Sequence, residues 1–534
     1  MSPGSGKAGA GKQMLAGTGG FSQRLPGGGR LLILLAVAWP LLIVLSPAIP
    51  DQDSSYTEAV ASGSAYAGLF GGGLLERPAT VGELSRLWQR APDASARDVW
   101  LASYAHDLHP PLYMLLLYFS SYAISPDLHT TGLVLNLLFY ACSLGLVWWL
   151  CRLLGASPRQ ALLALVLVGF SQYGWRVVAP VRMYALLHCL VLAYAVCTLK
   201  LRQAGEVAAF HQATLWLLCL GCLALAGTLT SFLFPVLAVF IFATALWLLP
   251  RYRLGFVAAH ALAVGGFWAL MGPALPSYWQ ANLGSAGMSA ELNRWANLLE
   301  HIPKLIFPSA LAAHALWLWG KGGLERGRRA AVAVALAGAG AASLLYWALW
   351  MAGFFIYWAI GWKYQGTFLL FAAPLIALAA SEQRRLVPLL VAATMAVWLV
   401  SGYNYVRVQH RMGGLLALYE ATQPDIIICD STDPSHFPVL LERAPRQAEV
   451  ICAEAARLPE LLRASLAAPA PPRRLIYWSC GASEQARQRV LAALQELAGA
   501  TSPPRKVKEY CRISAWAWPQ PPRAEAASLL QPAR

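Results

Sequence analysis

The chain has 534 residues, of which 57% are hydrophobic and only 13% charged, about half the charge of an ordinary soluble domain. One aqueous core cannot hide that much apolar surface, so a soluble protein is excluded. The net charge of +15 is scattered through short loops rather than gathered on one face, which excludes a nucleic-acid partner and fits the basic cytoplasmic loops of a bacterial inner (plasma) membrane protein.

Residues 1–30 are Gly-rich, cationic and free of acids, and are expected to be a disordered cytoplasmic tail. The apolar run Leu31 to Leu45 lacks a following small-residue cleavage site and reads as a retained anchor. A polar segment, 51–130, comes next. Apolar runs long enough to cross a hydrocarbon core then recur, giving about eleven spans in all: 31–49, 131–151, 160–176, 182–200, 212–229, 231–249, 255–275, 303–320, 330–351, 365–380 and 386–403. Alternate loops are basic: Arg152 with Arg159, Lys200 with Arg202, Arg251 with Arg253, Lys321 to Arg329, and Arg384 with Arg385. With a cytoplasmic tail, this alternation puts the 51–130 segment and everything after residue 403 outside. The count holds only if Pro110 to Ser125 does not span. That run opens Pro-Pro and carries Tyr113, Tyr118 and Tyr122, so it reads as a helix lying on the outer surface.

Composition changes again near Tyr405. Ile426 to Cys429 and Leu475 to Trp478 look like buried strands, and Glu484 to Ala498 has the period of an amphipathic helix. The expected architecture is therefore mainly α: a polytopic helical membrane domain over 31–403 and a small extracytoplasmic α/β domain over 404–515. The outer loop 51–130 carries interfacial helices, and a Pro-rich disordered end fills 516–534. Four cysteines fall in the C-terminal domain, Cys429, Cys452, Cys480 and Cys511, which permits two disulfides in three connectivities or buried thiols.

Fourteen acids precede the C-terminal domain, and nine of them lie between Asp51 and Asp127. The proposed spans hold no carboxylate, which argues against a proton-coupled transporter and for chemistry at the outer surface. Two clusters stand out in the loop. One is Asp51-Gln52-Asp53-Ser54-Ser55-Tyr56, right after the anchor, which also has the form of a helix N-cap with Glu58 nearby. The other is His106-Asp107-Leu108-His109-Pro110-Pro111-Leu112-Tyr113, a helix stop and start whose two His and one Asp are also metal-ligand types. Farther on, Arg182 and Tyr184 open a span, and Lys363 and Tyr364 stand just before the Pro374-containing span. Cations outside run against the charge rule. Snorkelling accounts for them, and so does binding an anionic lipid phosphate.

At these residues the sequence resembles the glycosyltransferase C superfamily, in its branch of protein mannosyltransferases, aminoarabinose transferases and bacterial polyprenyl-phosphate-sugar transferases. The elements are Asp53-Ser54-Ser55-Tyr56 after an anchor, His109 to Tyr113 opening an interfacial helix, Arg182-Met183-Tyr184-Ala185-Leu186 opening a span, and Lys363-Tyr364 before Pro374. Ser54 departs from the pattern, which has Glu there; Asp51 or Asp107 is a substitute carboxylate. The resemblance implies a membrane enzyme that moves a hexose or pentose from a polyprenyl-phosphate carrier to a lipid, glycan or protein acceptor, with inversion. It implies Asp53 and Asp107 as catalytic carboxylates, with Asp53 the base, and Arg182, Tyr184, Lys363, Tyr364 and His109 as binders of the carrier phosphate and substrate. Cations or a divalent metal ion would balance the leaving phosphate. The alternative is a transporter or flippase of lipid-linked sugars.

Overall fold

The computed structural model of the chain describes residues 52–63, 79–106, 110–171, 177–206, 210–276, 326–351 and 358–380. Of the C-terminal part it describes 422–430, 444–453, 456–466, 474–480, 484–497, 505–510 and 513–518, with a few isolated positions between. The segment expected to form the outer loop begins with α1 (Gln52–Ala61), strand β1 (Ala79–Thr80) and α2 (Val81–Leu84), and continues through α3 (Ala96–His106) and α4 (Leu112–Ser120). The membrane domain follows as α5 (Leu128–Leu153), α6 (Pro158–Gly169), α7 (Tyr184–Glu206), α8 (Phe210–Thr230), α9 (Leu233–Leu248), α10 (Arg253–Met271), α11 (Arg326–Met351) and α12 (Trp358–Ala380).

Among the described residues five helices are long and apolar enough to cross a membrane: Leu128–Leu153, Tyr184–Gly205, Phe210–Thr230, Arg253–Met271 and Arg328–Leu345. Pro158–Gly169, Leu233–Leu248 and Gly366–Ala379 are shorter apolar helices. The protein is thus a mainly helical integral membrane protein. The expected spans 31–49 and 303–320 lie outside the described residues, as does nearly all of 386–403. The expected span 160–176 is cut short at Gly169, where the Ser171 hydroxyl donates to the Val168 carbonyl at 2.6 Å and takes up one of the helix's end acceptors. Helices α8 and α10 expose Leu215, Leu218, Leu254, Leu262 and Trp268, a surface suited to lipid. The bundle interior is a continuous apolar core running from Val60 and Tyr113 to Ala377.

Local signals set the helix starts. Asp127 caps α5, its carboxylate accepting from the Thr130 N–H at 2.9 Å. Ser157 and Gln160 form a capping box ahead of α6, with Pro158 in the first turn. Helix α4 has nine residues, about 13 Å of rise, and cannot cross a core about 30 Å thick.

The C-terminal α/β part is built on strands β2 (Ile426–Cys429), β3 (Glu449–Cys452), β4 (Leu475–Cys480), β5 (Arg505–Tyr510) and β6 (Ile513–Trp518), with helices α13 (Leu458–Leu466) and α14 (Glu484–Leu497). Strands β2, β3 and β4 are parallel, and the sheet order is β1-β3-β2-β4-β6-β5. Ile426, Ile428, Ile451 and Tyr477 pack with Leu458, Leu462, Val490 and Leu494 from the two helices. Strand β6 runs three residues into the segment expected to be disordered. Its alternation Ile-Ser-Ala-Trp-Ala-Trp is a strand pattern, and the Pro-rich stretch starts only after it. Cys429 and Cys452 are register partners and are buried as thiols, whereas Cys511 lies outside the described residues.

One connection was not foreseen. Strand β1 belongs to the outer loop yet pairs antiparallel with β3, Ala79 opposite Val450 and Thr80 opposite Glu449. The ladder extends through Val81 N–H to Ala448 O (2.9 Å) and Gly82 N–H to Arg446 O (2.8 Å). Gly82 suits this seam, because a Cβ there would stand 3.3 Å from the Arg446 carbonyl. Two segments in one sheet share one side of a membrane. An even number of crossings therefore separates Thr80 from Glu449.

Candidate active site

The polar residues of interest meet where the outer loop packs on the ends of α5 and α7. Helix α1 begins at Gln52, so Asp53 lies in its first turn rather than at a cap position before it. The N-terminal turn of a helix favours negative charge. One turn on is Thr57, fully buried, whose hydroxyl accepts from Arg182 Nη1 at 3.0 Å. Arg182 is itself only 8% exposed. A cation singled out by its place in the sequence thus rests against the helix that carries Asp53, one turn away from it.

Asn136, from within α5, holds the segment that presents Arg182. Its amide donates to the carbonyls of Val178 (3.2 Å) and Pro180 (2.6 Å), which precede α7; the Pro180 carbonyl also accepts from the Arg182 N–H at 2.8 Å. Its Oδ1 accepts from the Tyr113 hydroxyl at 2.8 Å. Tyr113 is fully buried in α4. Burial pushes its phenol well above the ordinary tyrosine range and the Glu58 charge adds to this, while Arg182 and the bond to Asn136 act in the opposite sense. Tyr113 is therefore a neutral donor. Glu58, 1% exposed, lies next to Thr57 and places Oε1 2.7 Å from Nδ1 of His129 in the first turn of α5. Three polar pairs, Thr57–Arg182, Glu58–His129 and Tyr113–Asn136, thus link α1, α4, α5 and the approach to α7, all of their members buried except the half-buried His129.

Helix α4 is fixed separately. The Tyr118 hydroxyl donates to Ala94 O at 2.6 Å and lies 2.7 Å from the Tyr122 hydroxyl; the Arg90 guanidinium sits 3.5 Å over the Tyr122 ring. Burial first, and the Tyr122 bond second, push the Tyr118 phenol up to about 12.

The other sequence-stated residues fall as follows. Tyr184 opens α7 and is buried. Lys363 and Tyr364 lie inside α12, not just before it, because the helix starts as early as Trp358; α12 packs on α5, α6 and α7. Asp107 and His109 lie outside the described residues. Among the described residues no group of three His, Cys, Asp or Glu side chains could hold a metal ion. Sequence reasoning passed over His129 and Asn136, and noted Glu58 only beside a helix cap. A polar Asn136 in an otherwise apolar run was a usable signal, whereas Glu58 was one acid among nine.

No protein-family model matches the chain, and no curated protein matches it. Among solved structures, ArnT, the aminoarabinose transferase from Cupriavidus metallidurans, matches in its apo state with a TM-score of 0.51 at 12% identity, covering 95% of this chain and 99% of that one. The same protein bound to undecaprenyl phosphate gives 0.50 at 12% identity, covering 95% and 100%. The Archaeoglobus fulgidus oligosaccharyltransferase, in complex with zinc and sulfate, gives 0.46 at 9% identity, covering 84% and 67%. The chain shares the fold of ArnT along nearly its whole length.

Proposed function

We propose that this protein is a membrane glycosyltransferase that takes a sugar from a polyprenyl-phosphate carrier and passes it to an acceptor hydroxyl or amine at the outer face of the membrane. The observation that carries the reading is the Arg182–Thr57 contact in a chain with the ArnT fold. It joins a buried cation to the helix bearing Asp53, and ArnT is the protein seen bound to undecaprenyl phosphate.

In this reading the acceptor oxygen or nitrogen attacks the anomeric carbon, whose bond to the phosphate oxygen breaks, and polyprenyl phosphate leaves. Attack opposite the leaving group inverts the anomeric centre. Asp53, ionised in the first turn of α1, takes the acceptor proton. Arg182, with Lys363 from α12, balances the charge that grows on the departing phosphate. Tyr184, Tyr364 and His109 line the donor, and Asp107 is a second acid on the same loop. The remaining elements of the topology also belong to the proposal: eleven spans, a cytoplasmic N-terminal tail, and both the 51–130 loop and the 404–515 domain outside. The even number of crossings between Thr80 and Glu449 supports it, because ten of the eleven spans fall between them.

Asp53→Asn keeps the shape but loses the basicity. It should abolish release of polyprenyl phosphate from the lipid-linked sugar that the purified wild-type protein turns over, with insertion and yield unchanged, and Asp51→Asn should be milder. A fully active Asp53→Asn protein would refute Asp53 as the base. Loss confined to Asp51→Asn would move the role there.

A further inference from the structure

Helix α1 is short, and its apolar side chains after Tyr56 are Ala59, Val60 and Ala61, all at its C-terminal end. Beyond it the backbone turns at Gly63 (φ 64°), and the Ser62 carbonyl accepts from the Ala91 N–H at 3.1 Å. Val60 and Ala61 seat that end in the bundle core. Two polar side-chain contacts at successive positions add tethers one turn nearer Asp53: Thr57 to Arg182 and Glu58 to His129. Neighbouring residues point about 100° apart around a helix, so these tethers pull in two directions, one toward the approach to α7 and one toward α5. Two such tethers fix a short rod in rotation as well as in translation.

We infer that Glu58 is a positioning residue: its carboxylate, held by His129, sets the rotation of α1 and with it the place of Asp53 five residues upstream. The inference rests on the reading of Asp53 as the base. Glu58 is separated from solvent, meets the α5 imidazole at 2.7 Å and is near enough to Tyr113 of α4 for its charge to raise that phenol. It acts through the helix and touches no reacting atom. A 1 Å misplacement of a catalytic group can lower a rate by about a hundredfold, so a modest rotation of α1 is enough to matter.

Two near-isosteric variants separate this role from a need for negative charge. Glu58→Gln keeps an oxygen at the same reach to accept from His129 Nδ1. Glu58→Asp keeps the charge but withdraws it by one methylene. Each full-length variant is purified beside wild type. Turnover is measured with the undecaprenyl-phosphate sugar that wild type uses, and carrier binding is read as the thermal shift produced by undecaprenyl phosphate alone. The inference predicts that Glu58→Gln keeps at least about a third of kcat, that Glu58→Asp loses about tenfold or more, and that both retain the wild-type thermal shift and KM for the carrier. His129→Ala should match Glu58→Asp, and the double variant should be no worse than either single. An active Glu58→Asp, a Glu58→Gln as impaired as Glu58→Asp, or additive losses in the double variant would overturn it. Wild-type protein that turns over no lipid-linked sugar would instead overturn the function proposed above, which keeps the two failures apart.

Discussion

Arg182 is the residue on which the sequence and the structure bear most directly together. It opens an expected span at the end where the charge rule disfavours a cation, and it is buried with Nη1 on Thr57, one turn from Asp53. A charge-assisted contact to a phosphate contributes about 1.5–3 kcal/mol. Arg182→Ala and Lys363→Ala should therefore each raise KM for the carrier by roughly ten- to a hundredfold. Carrier kinetics unchanged in both variants would reduce the pair to packing and snorkelling. Residue-level legibility followed chemistry that recurs in short motifs. Arg182-Met183-Tyr184 and Asp53 could be picked out because each sits at the edge of an apolar run. The pairing of Glu58 with His129 could not, since the two are 71 positions apart and nothing in the sequence joins them.

At the scale of elements, the β1–β3 seam makes the outer loop and the C-terminal domain one structural unit. Directly opposed residues of an antiparallel pair have Cα atoms about 4.5–5.5 Å apart, within disulfide range. Ala79→Cys combined with Val450→Cys should crosslink under mild oxidation in native membranes, and peptide mapping should find the 79–450 link. Its absence, with both thiols recoverable, would contradict the seam. The helices were legible because length and apolarity are local properties: the runs 131–151, 212–229 and 330–351 meet Leu128–Leu153, Phe210–Thr230 and Arg326–Met351. Strand β4 and helix α14 were legible from alternation and period for the same reason. Strand β1 was not. Two residues, Ala-Thr, have no period, and their partner lies some 370 positions away, so only the folded chain shows the pairing.

For the whole molecule, the claims are a topology and a reaction. The proposed topology puts Ser483, just before α14 in sequence, outside the cytoplasm. Ser483→Cys should react with a membrane-impermeant thiol reagent in intact cells or spheroplasts, above the background of the unsubstituted protein. Labelling only after lysis would reverse the sidedness. The reaction separates this protein from a carrier of lipid-linked sugars, because an enzyme breaks the bond between sugar and phosphate whereas a flippase moves the carrier intact. The most direct measurement reconstitutes the purified full-length protein in liposomes with undecaprenyl-phosphate sugars labelled in the sugar, together with membrane-extract acceptors, and follows the label. Glycosyl transfer predicts label on an acceptor and stoichiometric undecaprenyl phosphate, both lost in Asp53→Asn. Intact labelled carrier appearing in the opposite leaflet, with no undecaprenyl phosphate formed, would contradict it.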